Sequence, residues 1–194
     1  MALAHAGINY VVREVVLRDK PSSMLALSPK GEVPVLKLED QVIDESIDIM
    51  RWALPEDDDW LAFEPEQLSI MDDLIRRCES EFKPWLDRYK YADRHPEYTE
   101  AYSRGQGERF LHELEARLKQ EDYLFGSCLS FADIALMPFV RQFAHVDIKW
   151  FENSEYVRLV EWLERLKASE LFLSIMAKYP QWHEGDEVTL FRAH

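Results

Sequence analysis

Two thiols and one serine–aspartate pair are the side chains in this sequence whose types first invite a chemical reading. Cys78 and Cys128 are its two cysteines. They lie far apart, in neither a disulfide framework nor a metal-ligand spacing. A cysteine acts as a nucleophile through its thiolate, which burial in apolar surroundings disfavours. Cys78 falls within Leu68, Met71, Leu74, Ile75, Cys78, Phe82, Trp85, Leu86 and Tyr89, whose i, i+3, i+4 spacing is that of an amphipathic helix. It therefore reads as a structural cysteine. Ser130-Phe-Ala-Asp133 precedes the apolar run Ile134-Ala-Leu-Met-Pro-Phe-Val140. A helix apolar on all sides is buried, and its first N–H groups need partners. Ser130 can accept from the Asp133 N–H while the Asp133 carboxylate reaches back to the Ser130 N–H. This is a capping box with Asp in place of Glu, so the pair is expected to serve folding rather than catalysis.

The charge narrows the partners. Lys plus Arg number 23 against 37 Asp plus Glu, a formal charge of −14. Such a surface repels phosphate backbones and anionic lipid, so neither nucleic acid nor membrane is expected. No stretch approaches the roughly 20 consecutive apolar residues of a spanning helix. Met1–Gly7 lacks the basic region and cleavage pattern of a secretory leader. With two distant cysteines, the expectation is a reducing cytoplasm.

The elements that position these residues fall into two parts. Tyr10–Leu17 is rich in β-branched residues and predicts a strand. Pro21 can start a short helix after Lys20. Val33–Leu38 predicts a second strand, and Val42-Ile43 a short third. Asp44-Glu45-Ser46 then opens a helix through Leu54, with Ser46 as N-cap. The acidic run Pro55-Glu-Asp-Asp-Asp59 is the linker candidate. Beyond it the pattern is helical throughout. Pro84 is expected to bend its helix rather than end it. Tyr98, Tyr102, Phe110, Leu111, Leu114 and Leu118 form the next stripe, weakened by Gly105 and Gly107 at about 1 kcal/mol each. Ser154 can cap a helix carrying Val157, Val160, Leu163 and Leu166, and a last short helix begins near Ser169.

Three segments, in this order, resemble the glutathione-transferase family and most closely its omega-like bacterial members. They are Ser28-Pro-Lys-Gly-Glu-Val-Pro-Val-Leu36, Asp44-Glu-Ser-Ile-Asp-Ile-Met50 and Leu129-Ser-Phe-Ala-Asp-Ile-Ala135. The resemblance implies an α/β thioredoxin-like N-terminal domain over residues 1–55 and an all-α C-terminal helical bundle over 64–194. Its co-substrate is glutathione. The Val33-Pro34 bond is implied to be cis, with the Val33 backbone facing the ligand as an added strand would. Ser46 and the first N–H groups of its helix suit the γ-glutamyl carboxylate, because a helix N-terminus favours anions. Glu45 is the implied acceptor for the γ-glutamyl ammonium, and Lys20 matches a lysine that reaches the glycyl end.

The sequence also departs from the family. Met1–Gly7 resembles the end of the family's first helix, so the thioredoxin-like domain is expected to be incomplete. Its first strand and the loop with a catalytic Tyr, Ser or Cys are missing, and no catalytic residue carries over. Two explanations compete: an internal methionine taken for the start, or a chain short by nature. The first expectation is that the complete protein, a homodimer, conjugates glutathione to a small electrophile or performs glutathione-dependent thiol transfer on a mixed disulfide, with the chain as given weakly active or inactive. The alternative is a non-enzymatic glutathione- or protein-binding regulator on the same fold. Trp85, Tyr89 and Tyr102 are candidates to line the second-substrate site.

Overall fold

A computed structural model describes residues 1–193. The chain forms two compact units, one of Met1–Glu56 together with the segment from Glu170 onward, the other of Asp57–Ser169.

The first unit is α/β. Its elements are α1 (Ala2–His5), β1 (Tyr10–Val12), α2 (Ser22–Leu27), β2 (Leu36–Lys37), β3 (Val42–Ile43) and α3 (Ser46–Ala53). Helix α1 packs on α3, and Ala2, Met24, Ile49, Ala53 and Leu54 are buried. Strands β2 and β3 pair antiparallel, Leu36 opposite Ile43 and Lys37 opposite Val42. The strand expected over Tyr10–Leu17 stops at Val12. The chain turns back at Val16, whose carbonyl accepts from the Asp19 N–H at 2.8 Å. The strand expected over Val33–Leu38 is likewise reduced to Leu36–Lys37. β-Branched content raises strand propensity, but pairing decides where a strand exists.

The second unit is helical: α4 (Pro65–Arg77), α5 (Lys83–Lys90), α6 (Glu100–Leu118), α7 (Phe131–Ala144), α8 (Ile148–Glu152) and α9 (Val157–Lys167). Leu74, Leu111, Leu114, Val140, Phe143, Leu159 and Trp162 are inaccessible to solvent at its core. A π-helical turn, Cys78–Phe82, joins α4 to α5, and the Lys83 N–H bonds the Cys78 carbonyl. Pro84 has no N–H, and its ring would clash with the carbonyl four residues back. The wider turn accommodates both and lets the apolar stripe continue. The cap expected of Ser154 is made differently. Tyr156 is the N-cap residue of α9, and the buried Glu115 carboxylate on α6 accepts from Leu159 N–H at 2.8 Å and Arg158 N–H at 3.3 Å. Ser154 Oγ instead donates to Phe151 O at 2.7 Å.

The chain then re-enters the first unit through α10 (Glu170–Ser174) and β4 (Thr189–Phe191). This differs from the expected all-helical stretch to residue 194, because β4 pairs antiparallel with β1, Tyr10 opposite Phe191. Their rings stack at 4.7 Å between centroids, and Phe191 is buried. Further contacts tie the same segments. Trp182 N–H donates to Glu14 O at 2.9 Å, and the Arg13 guanidinium lies 4.4 Å from the Trp182 ring centroid. Gln181 Nε2 donates to Asp19 Oδ2 at 2.8 Å, and Ala193 N–H to Asn9 Oδ1 at 3.0 Å.

Candidate functional site

The turn after α2 sets the geometry of the first unit's candidate site. Ser28 is 1% exposed. Its carbonyl accepts from the Gly31 N–H at 3.0 Å. Its Oγ donates to Asp44 Oδ2 at 2.8 Å, which ties the turn to the start of α3. That hydrogen bond, helped by Lys30, holds the Asp44 carboxyl below the ordinary aspartate range. Gly31 adopts φ +65°, a conformation open to glycine at little cost. A Cβ there would meet Leu25 Cδ2 at 3.0 Å and Lys20 Nζ at 3.5 Å. The bare glycine thus lets the Lys20 side chain lie across the turn.

Past the turn, Val33 is about half exposed. The Val33-Pro34 bond is cis, as the resemblance implied. Glu45 and Ser46 stand one residue out of the expected cap register. Glu45, with φ −111° and ψ 131°, is the N-cap residue of α3, and Ser46 is its first helical residue. The cap assigned to Ser46 is therefore corrected. Nor does the Glu45 side chain cap the helix. It accepts from Lys30 Nζ at 2.6 Å instead, with Asp44 Oδ1 3.7 Å from the same ammonium. The first N–H groups of α3 are left with no side-chain cap, which is the arrangement that favours an anion. The first unit thus brings Lys20 to the turn that leads to Val33 and Pro34, and sets Glu45 and Ser46 together at the start of α3. Sequence reasoning missed Lys30, Ser28 and Asp44. Ser28 and Asp44 flank the Val-Pro segment, but their pairing is a tertiary contact.

Both thiols belong to the second unit. Cys78 is buried, and burial pushes its thiol up to about 12. Cys128 is exposed. Ser130 and Asp133 form the reciprocal box, with Ser130 N–H donating to Asp133 Oδ2 at 2.9 Å and Asp133 N–H to Ser130 Oγ at 3.3 Å. Both are fully buried. Trp85, Tyr98 and Tyr102 cluster with centroids 5.3–5.8 Å apart, whereas Tyr89 is buried. Among the described residues, no group of three or more His, Cys, Asp or Glu is placed to hold a metal ion. No helix among them is long and apolar enough to cross a membrane.

Comparison with known proteins decides the family. Residues 1–54 match the model of the glutathione S-transferase N-terminal domain, and residues 65–184 that of the C-terminal domain. The chain belongs to the glutathione S-transferase family. Its family uses glutathione as co-substrate. The chain is 28% identical over 198 residues to the probable glutathione S-transferase parA of Nicotiana tabacum, covering 95% of this chain and 84% of that one. A glutathione S-transferase from Xanthobacter autotrophicus has the same fold at 20% identity and a TM-score of 0.70, covering 87% of this chain and 85% of that one. The glutathione transferase Omega 3C of Trametes versicolor is similar at 19% identity and a TM-score of 0.70, covering 89% and 75%. The thioredoxin-like unit followed by helices is thus the fold of this glutathione S-transferase family member.

Proposed function

We propose that this chain is an omega-like member of its family that binds glutathione on its first unit. The observation that carries the reading is the uncapped N-terminus of α3 beside the Glu45 carboxylate. The γ-glutamyl carboxylate sits on the N–H groups at Ser46, and its ammonium on Glu45. The cysteinyl portion pairs with the backbone of the half-exposed Val33 next to Pro34. The glycyl carboxylate reaches toward Lys20, whose ammonium lies over the Gly31 turn. The second substrate in this reading is a small electrophile or a mixed disulfide, and the protein acts as a homodimer.

Binding alone supplies proximity. The glutathione thiol has a pKa near that of free cysteine, about 8.5, so only a few per cent is thiolate at neutral pH. Conjugation also needs a group that stabilises the thiolate, and thiol transfer needs an activated cysteine. Cys78, buried and held protonated, is neither, and the exposed Cys128 does not stand in the family's thiol motif. The chain as it stands is therefore read as a glutathione binder with little turnover of its own. Calorimetry on the wild-type chain and Ser46→Ala tests the site. The variant is expected to lose about 1–3 kcal/mol if a charge-assisted hydrogen bond is removed. Unchanged affinity would remove Ser46 from the site. Turnover of a chlorodinitrobenzene or a mixed disulfide at rates typical of enzymes would overturn the binder reading.

A further inference from the structure

We propose that Lys30 governs ligand selectivity at this site by contending with the incoming ammonium group for the Glu45 carboxylate, an inference that rests on the glutathione reading above. Lys30 Nζ is 2.6 Å from Glu45 Oε1, already the position of a charge-assisted hydrogen bond. Asp44 holds the same ammonium more loosely than Glu45 does. Its Oδ1 lies 3.7 Å away, and its Oδ2 accepts from Ser28 Oγ. A second ammonium on Glu45 would face the first across a few ångströms of like-charge repulsion. The γ-glutamyl ammonium therefore binds as Lys30 gives up Glu45 and keeps only its looser contact with Asp44.

Solvation sets the size of the effect. The Lys30 and Glu45 side chains are 53% and 54% exposed, and exposed ion pairs are weak. Displacement is thus an adjustment of affinity, not a block. It also carries a sign that simple charge attraction does not. Lys30 is a cation beside a site for an anionic tripeptide. If it acted only through its field, removing it would weaken every anionic ligand. If it occupies the ammonium's place, removing it strengthens those ligands that bring an ammonium.

Calorimetric titration of wild-type and Lys30→Met chains with glutathione and N-acetylglutathione separates the two. Lys30→Met keeps the apolar stem and removes the charge. It is expected to bind glutathione about two- to five-fold more tightly, equivalent to about 0.4–1 kcal/mol. N-acetylglutathione, which has no ammonium, should bind no better to the variant than to wild type. In a Glu45→Gln background, Lys30→Met should give no gain with glutathione. Equal or weaker glutathione binding by Lys30→Met overturns the proposal while leaving the glutathione site intact. Absence of glutathione binding by both chains, with unchanged thermal midpoints, overturns the site reading as well.

Discussion

Arg77 on α4 and Glu113 on α6 meet fork to fork, with Nη1–Oε2 and Nη2–Oε1 both at 2.7 Å. Asp73 accepts from Arg77 Nε at 2.9 Å, and Arg117 Nη2 stands 3.3 Å from Glu113 Oε1. The Arg77 hydrogen bonds are the main cause holding the Glu113 carboxyl below the ordinary glutamate range. A carboxyl depressed on folding contributes stability above its unfolded pKa of about 4.3 and loses it as pH falls through the folded value. Glu113→Gln is expected to cost about 1 kcal/mol at pH 7, since both side chains are partly solvated. It should also flatten the acid limb of the thermal midpoint below about pH 4.3. An unchanged acid limb in the variant would show that the pair is not what titrates there.

The two glycines of α6 should respond to alanine with opposite signs. A Cβ at Gly105 meets nothing within 4 Å. Gly105→Ala gains helix propensity and should stabilise by about 0.5–1 kcal/mol. At Gly107 the added Cβ would stand 2.5 Å from Phe143 Cε2. Phe143 is inaccessible and packed against Phe82 and Tyr89, so the ring has no free space to move into. Gly107→Ala should destabilise by about 1–3 kcal/mol despite the same gain in propensity. Urea unfolding of both variants provides the comparison.

Asp133 does more than close the capping box. Its Oδ1 accepts from Trp162 Nε1 at 2.7 Å and Leu124 N–H at 3.0 Å, while Oδ2 takes Ser130 N–H and Oγ. Asp133→Ala would strand several buried donors and should cost about 3 kcal/mol or more. Glutathione binding per folded molecule should persist while the thermal midpoint falls. Normal stability with abolished binding would reverse this assignment.

The two thiols should differ sharply in rate. With its pKa near 12, Cys78 is thiolate in on the order of 1 molecule in 10⁵ at pH 7. An aromatic disulfide reagent should titrate one thiol, Cys128, in the native chain and two in denaturant. Fast native modification of both would mean that the helix carrying Cys78 opens readily.

Much of this arrangement was written in local pattern. The stripe through Met71, Leu74, Cys78 and Phe82 gave α4 and its continuation, and the Ser130–Asp133 spacing gave a buried helix start. Such features need only neighbours in sequence. Features built by distant partners were not legible. Glu115 caps α9 from another helix, so Ser154 seemed the better candidate. Ser46 looked like a cap because Ser is a common N-cap residue, yet the backbone places Glu45 there and Lys30 takes its side chain. Glu187-Val-Thr-Leu-Phe191 has strand-forming residues, but a strand needs a ladder partner, and its partner lies near the other end of the sequence.

That last pairing has a consequence for how the chain is made. Asn9 and Ala193, joined beside the β1–β4 ladder, are 184 positions apart. Synthesis at about 5–20 residues per second separates the appearance of the two by roughly 10–40 s. All of Asp57–Ser169 is synthesised in that interval. β1 meanwhile waits with an unpaired ladder edge and Tyr10 without its stacking ring. The first unit to be translated is thus the last to be completed. During that wait its open strand is exposed to pairing with a neighbouring chain.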